Sequence, residues 1–146
     1  MMRRSKLEVV TPRRRVLVEE VESVVAPGTE GYFGVLTRHA PFLTTLKPGC
    51  IYYRKAGAKD KTDCLAVSGG FIEVGPDKII VLADTAEHST EIDIERALRA
   101  KERAEERLRK RPPGLDVARA EQALAKSFAR LKAAGVENKT GTGTTN

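Results

Sequence analysis

Glycine and proline divide this chain into two regions that cannot fold alike. Up to about residue 84 they recur every few positions, at Pro12, Pro27-Gly28, Gly31, Gly34, Pro41, Pro48-Gly49, Gly57, Gly69-Gly70 and Gly75-Pro76. From Asp93 to Lys110 neither occurs, and Ala, Glu, Arg and Leu dominate. The first region is a series of short runs rich in Val, Ile and Tyr, which fit a pleated, half-buried surface. The runs are Leu7–Val10, Val16–Ala26, Tyr32–Leu36, Leu43–Lys47, Cys50–Lys55, Leu65–Val67, Phe71–Val74 and Ile79–Leu82. Short strands with Gly/Pro turns between them predict a β-sandwich or barrel.

The second region predicts two helices. Ile94, Ala97, Ala104 and Leu108 form an apolar stripe at helical spacing, with Asp93 or Thr90 as its cap. Pro112-Pro113-Gly114 breaks the helix, and Asp116 is the cap expected for the next. Val117, Ala120, Leu124, Phe128 and Leu131 make its stripe, and Gly135 ends it. The fold class is therefore α+β, mainly β: an N-terminal sandwich of short antiparallel strands over 1–88, then an antiparallel two-helix hairpin over 89–135. Residues 136–146 are polar and Thr/Gly-rich and read as a disordered tail. The seam between the helices is alanine-rich, so at ~25 cal/mol per Å² it is weak beside a Leu/Ile seam. Isolated helices of this length are marginal in water. The hairpin needs a platform: the sandwich, another protein, or each in turn.

Charge follows the same division. Residues 1–90 carry 13 basic and 11 acidic side chains, and residues 91–134 carry 12 and 8. The basic part is the hairpin, whose partner is expected to be an acidic protein surface, nucleic acid or nucleotide. A solvated helix face with local ion pairs is the alternative. No apolar run approaches the ~20 residues of a membrane span. The basic start is not followed by a signal-type apolar segment, so the chain is expected to stay in the cytoplasm. Cys50 and Cys64 read as free thiols serving as small apolar side chains. With two distant histidines they make no metal site.

Several residues invite a chemical reading. A hydrolase would need His39 or His88 with Ser68 and Asp84, but no Gly-x-Ser-x-Gly elbow is present. Gly28, Gly31 and Gly34 are not followed by Gly-Lys-Ser/Thr, so they predict turns or bulges rather than a phosphate loop. Arg38-His39-Ala40-Pro41 reads as a loop tip, because the residue before proline is pushed toward extended geometry. Asp93 and Arg96 open the first helix, while Lys126 and Arg130 lie one turn apart near the end of the second. In an antiparallel hairpin these four converge, in reach of one anion, where guanidinium groups grip phosphate in bidentate fashion.

Six motifs occur in order: Gly34-Val35-Leu36, His39-Ala40-Pro41, Lys47-Pro48-Gly49, Ser68-Gly69-Gly70-Phe71, Val81-Leu82-Ala83-Asp84 and Ile92-Asp93-Ile94-Glu95-Arg96-Ala97. In this order the chain, from about Leu7 to Leu131, resembles the epsilon subunit of bacterial F-type ATP synthases. The resemblance implies a noncatalytic rotor subunit, peripheral on the cytoplasmic face of the bacterial inner membrane. It would help couple proton-driven c-ring rotation to ATP synthesis and restrain hydrolysis through a movable hairpin. The implied partners are the gamma subunit, the c-ring and, when the hairpin is extended, the catalytic alpha/beta head. The c-ring contact falls on Arg38, His39, Ala40, Pro41 and Phe42. The usual acidic residue seven positions before the His is here Tyr32. Contact to an acidic segment of the beta subunit falls on Arg99, Arg103, Arg107 and Arg119, joined by Arg96, Lys126 and Arg130. No cofactor is required. Regulatory ATP, which binds the folded-down hairpin in some members, would fall on Glu87, Ile92, Asp93, Arg96, Ala97, Lys126 and Arg130. Lys126 stands where ATP-binding members carry arginine, keeping the charge but losing the planar fork. A basic nucleic-acid-binding module with a helical arm is the alternative. Against it stand a 5% aromatic content, too little for stacking platforms, and the lack of any recognised reader motif.

Overall fold

A computed structural model describes residues 4–35, 41–59 and 61–136 of the 146. The strands are β1 (Ser5–Val10), β2 (Arg15–Gly28), β3 (Gly31–Val35), β4 (Phe42–Leu46), β5 (Gly49–Lys55), β6 (Asp63–Val67), β7 (Gly70–Val74), β8 (Lys78–Ala83) and β9 (Ala86–His88). A 3-10 turn at Ser89–Glu91 leads into α1 (Ile94–Lys110), and α2 (Val117–Ala133) follows. The neighbour order is β1-β8-β7-β4-β2-β5-β6-β9, with β3 paired to β2 and β1 also paired to β2. The long strand β2 joins the two halves of the sandwich. Its first half pairs with β1 and its second with β3 and β5, and the register shifts between Val21 and Ser23, where it turns from one half to the other. All pairings are antiparallel except β1 with β8.

The sandwich interior follows from period-two alternation. Leu7 and Val9 of β1, Ile72 and Val74 of β7, and Ile79 and Val81 of β8 all point inward and are buried. They meet Val21, Val24, Ile51, Leu65 and Val67 in one apolar cluster. Gly70 shows why the Ser68-Gly69-Gly70 sequence is needed. Its φ is +137°, and a Cβ there would run into the backbone carbonyl of Leu82. Gly28 and Gly31 close the β2–β3 hairpin, so two of the three spaced glycines form a turn, as expected; Gly34 lies within β3. The strand the sequence did not announce is β9, three residues long and too short for any periodic signal.

Both helices are capped by the expected aspartates. Asp93 Oδ1 accepts the Arg96 N–H at 3.1 Å, and Asp116 Oδ1 accepts the Arg119 N–H at 3.1 Å. At the far end of α2 the carbonyls are satisfied one by one. The N–H groups of Ala134, Gly135 and Val136 donate to the carbonyls of Arg130, Lys132 and Leu131. This is the glycine-ended cap expected from Gly135, whose φ is +81°. Val136 thus closes the helix, and the rest of the proposed tail, 137–146, lies outside the described residues. Ala97 and Ala104 are the buried positions of α1, but Ile94 of the expected stripe is 40% exposed. The physical reason is that α1 packs on α2 through a narrow alanine seam, leaving its flanks in water.

Candidate functional site at the junction of sandwich and hairpin

Strand β5 is apolar on both faces. Ile51 and Tyr53 point into the sandwich, so alternation sends Cys50 and Tyr52 to the outer face. Its neighbour β6 does the same with Leu65 and Val67 inward and Cys64 and Ala66 outward. The register pairs Cys50 with Ala66 and Tyr52 with Cys64, so these four side chains form one patch. Helix α2 lies on that patch through Ala129 and Ala133, one turn apart, and Ile92 joins them. The cluster is separate from the sandwich interior. The hairpin therefore rests on the sandwich rather than completing it.

Polar groups hold the same junction. Glu87, carried by β9 opposite Ala66, accepts from Arg130 Nε at 2.7 Å and Nη2 at 3.3 Å. The Cys50 thiol donates to the carbonyl of Ala129 at 3.2 Å, and the Cys64 thiol to that of Ala133 at 3.3 Å. The Ala133 carbonyl is the last of α2, so a sandwich cysteine completes the helix cap. Burial pushes both thiols above their ordinary pKa, which keeps them protonated as donors. The Lys132 ammonium stands over the rings of Tyr32 and Tyr52, at 5.7 and 5.9 Å from their centroids. The Tyr32 hydroxyl oxygen accepts the Cys50 backbone N–H at 3.0 Å. Tyr32, the departure from the acidic residue, is thus built into the junction.

The residues expected to hold a nucleotide are only partly gathered. Glu87 and Arg130 meet, but as partners of each other. Ile92 packs into the junction, Ala97 is fully buried, and Asp93 is committed to its cap. Arg96 and Lys126 are exposed. Of the loop assigned to the c-ring, Arg38, His39 and Ala40 lie outside the described residues. Pro41 is exposed, and half-buried Phe42 meets Phe33 edge-on at 5.8 Å. Arg99, Arg103, Arg107 and Arg119 are all exposed, the first three one turn apart along α1. Ser68 is no nucleophile in waiting, because its Oγ accepts the Thr85 N–H at 2.9 Å and bonds the Thr85 hydroxyl at 2.7 Å. Among the described residues no group of three or more His, Cys, Asp or Glu is placed to hold a metal ion.

Sequence reasoning missed Cys50, Cys64, Tyr52, Lys132, Ala129 and Ala133 as a set. The available signal was the Cys50–Tyr53 run, apolar at every position, which marks a strand covered on both faces.

Comparison with known proteins supplies the family. Residues 4–89 match a family model described as ATP synthase, Delta/Epsilon chain, beta-sandwich domain. Residues 90–135 match one described as ATP synthase, Delta/Epsilon chain, long alpha-helix domain. A curated relative from Moorella thermoacetica, named ATP synthase epsilon chain, is 59% identical over 129 residues, covering 88% of this chain and 95% of its own. Another of that name, from Desulforamulus reducens, is 48% identical over 134 residues, covering 92% and 99%. Among solved structures, a chain of the Euglena gracilis mitochondrial ATP synthase (OSCP/F1/c-ring, rotational state 1) is similar, with a TM-score of 0.76. It is 26% identical and covers 90% of this chain and 81% of its own. A chain of the Tetrahymena thermophila mitochondrial ATP synthase central stalk and c-ring shares the fold at a TM-score of 0.58 and 15% identity, covering 88% and 95%.

Proposed function

The chain belongs to the ATP synthase delta/epsilon family as an epsilon subunit, a noncatalytic part of the central stalk, and on that premise we propose how its two halves divide the work. The sandwich is the fixed half, bound to the gamma subunit and the c-ring, and transmits proton-driven rotation. The hairpin is the movable half: docked on β5 and β6 it leaves hydrolysis free, and extended along gamma it restrains it. The single observation that carries this reading is the separation of the junction cluster from the sandwich interior. Removing α2 uncovers Cys50, Tyr52, Cys64, Ala66 and Ile92 and breaks the Glu87–Arg130 ion pair, yet opens no part of the main core.

Each partner is assigned its own surface. On the outer face of the sandwich Leu43, Phe71 and Leu82 are 67%, 49% and 53% exposed. Phe71 and Leu82 are directly opposed across β7 and β8. Apolar groups gathered this way mark a protein interface, assigned here to gamma. The loop from Arg38 to Phe42 is assigned to the c-ring. The exposed row Arg99, Arg103 and Arg107, with Arg119, is assigned to an acidic segment of the catalytic head when the hairpin extends. At exposed sites each pair contributes at most ~1 kcal/mol, so the row acts together. No helix among the described residues is long and apolar enough to cross a membrane. Attachment through these protein partners makes the subunit peripheral, and we assign it to the cytoplasmic face of the bacterial membrane.

The test is reconstitution of the synthase with and without this chain. The complex with the chain should couple rotation to synthesis more tightly and hydrolyse ATP more slowly in the absence of a gradient. Equal coupling and equal hydrolysis would overturn the assignment. We also propose that regulatory ATP binds only weakly to the docked hairpin. Its phosphates would have to displace Glu87 from Arg130 and rely on Lys126 without a guanidinium fork. Calorimetry on the whole chain should show weak heat that Arg130→Ala removes, and silence at millimolar ATP rejects the site. The nucleic-acid alternative finds no support among the relatives, which carry the epsilon name.

A further inference from the structure

The two thiols occupy a place that the rotor role does not require. Cys50 on β5 and Cys64 on β6 stand on one face, a diagonal step apart in the register. Diagonal neighbours lie roughly 7–8 Å apart, beyond the ~4.4–6.8 Å Cα separation of a disulfide, so they do not close on each other. Each is instead capped by α2, through carbonyls one helical turn apart. Cys50 is wholly buried in the junction, and Cys64 is half-buried beside it. The helix presents the small side chains of Ala129 and Ala133 to them, with the Lys132 ammonium close to Cys50.

We propose that Cys50 and Cys64 form a conformation-gated modification site: closed while α2 is docked, and open to low-molecular-weight disulfides once it lifts. This rests on the movable hairpin proposed above. The step balances without further reagents. A thiol loses its proton to solvent, and the thiolate attacks one sulfur of RS–SR. The Cys–S–SR bond forms as the old S–S bond breaks, and the released RS⁻ takes up a proton. The small disulfide is the oxidant, and half of it leaves reduced to a thiol. The adduct then fills the space of Ala129 and Ala133 and removes the S–H donor from the last carbonyl of α2. The hairpin cannot return, so an oxidising cytoplasm holds it off the sandwich until a free thiol reduces the adduct.

The experiment uses the whole chain with oxidised glutathione and, separately, a maleimide. Adducts are located by peptide mass, and docking is followed by hydrogen exchange of the α2 amides against those of β2. Cys50 should react on the order of a hundredfold more slowly than in the unfolded chain, as expected for a group reached by local opening. Arg130→Ala should speed that reaction by about fivefold, as loss of a bidentate pair loosens docking. The glutathione adduct should lose α2 protection while β2 stays protected. Reaction of Cys50 at the unfolded rate, or an adduct that keeps α2 protected, overturns the proposal. If α2 opens well before β2 yet both thiols stay inert, this site fails and the movable hairpin stands. If thiols and α2 amides open only together with β2, both readings fall.

Discussion

The guanidinium of Arg130 spans both carboxylate oxygens of Glu87, one contact at 2.7 Å and the other at 3.3 Å. Both side chains are about a quarter to a third exposed, so water screens the pair only in part. The pair ties β9 to α2, the sandwich to the hairpin. Two residues that would be expected to serve a nucleotide instead fasten the fold at its joint. The fork matters here, since two parallel N–H bonds fix direction as well as distance.

Arg130→Ala should therefore weaken docking by about 1–2 kcal/mol, and a double-mutant cycle with Glu87→Gln should return a coupling of that size. Hydrogen exchange should show α2 amides exchanging faster while β2 is unchanged. Arg130→Lys should recover only part, because lysine keeps the charge without the fork.

Tyr32→Phe removes the acceptor of the Cys50 N–H, a part-buried bond. The orphaned donor should cost about 1–3 kcal/mol in urea unfolding. Lys132→Ala removes only a cation over two rings and should cost about 0.5–1 kcal/mol, read as α2 protection rather than global stability.

Gly70→Ala should lower the unfolding free energy read from urea titration by more than about 2 kcal/mol, since the new Cβ meets the Leu82 carbonyl at a φ of +137°. Gly57→Ala is the control. Its φ is +80° but its surroundings are open, so only the backbone cost of about 1–2 kcal/mol remains.

Docking should loosen as pH rises from 8 to 10. Burial raises both thiols above their ordinary value in the docked state. An undocked thiol ionises first, at about 8.5, so rising pH draws the equilibrium toward the undocked form. Between about pH 6 and 8, where neither thiols nor carboxylates change charge, the curve should be flat. Cys50→Ala with Cys64→Ala should remove the slope in α2 hydrogen exchange up to about pH 9, while Tyr32 and Tyr52, also raised by burial and bordering the same junction beside Lys132, supply what slope remains toward pH 10.

Glycine, proline and β-branched spacing were enough to place eight of the strands near their true bounds, because each is a local consequence of turn chemistry and alternation. The two aspartate caps and the Gly135 helix end were equally local. Family likeness was written in short ordered motifs. The short strand β9 escaped because three residues carry no period. The exposure of Ile94 escaped because a stripe of apolar residues does not say how wide its partner is.

The sequence by itself determined that a strand-rich body is followed by a weakly seamed basic hairpin. Which sandwich face receives that hairpin was decided only in three dimensions. Cys50 and Cys64, fourteen positions apart, become a patch through the register of β5 with β6, and Glu87 reaches Arg130 through a fold that brings residues 43 positions apart together. Pairing across such distances depends on the whole chain packing at once, since no local rule of spacing encodes it.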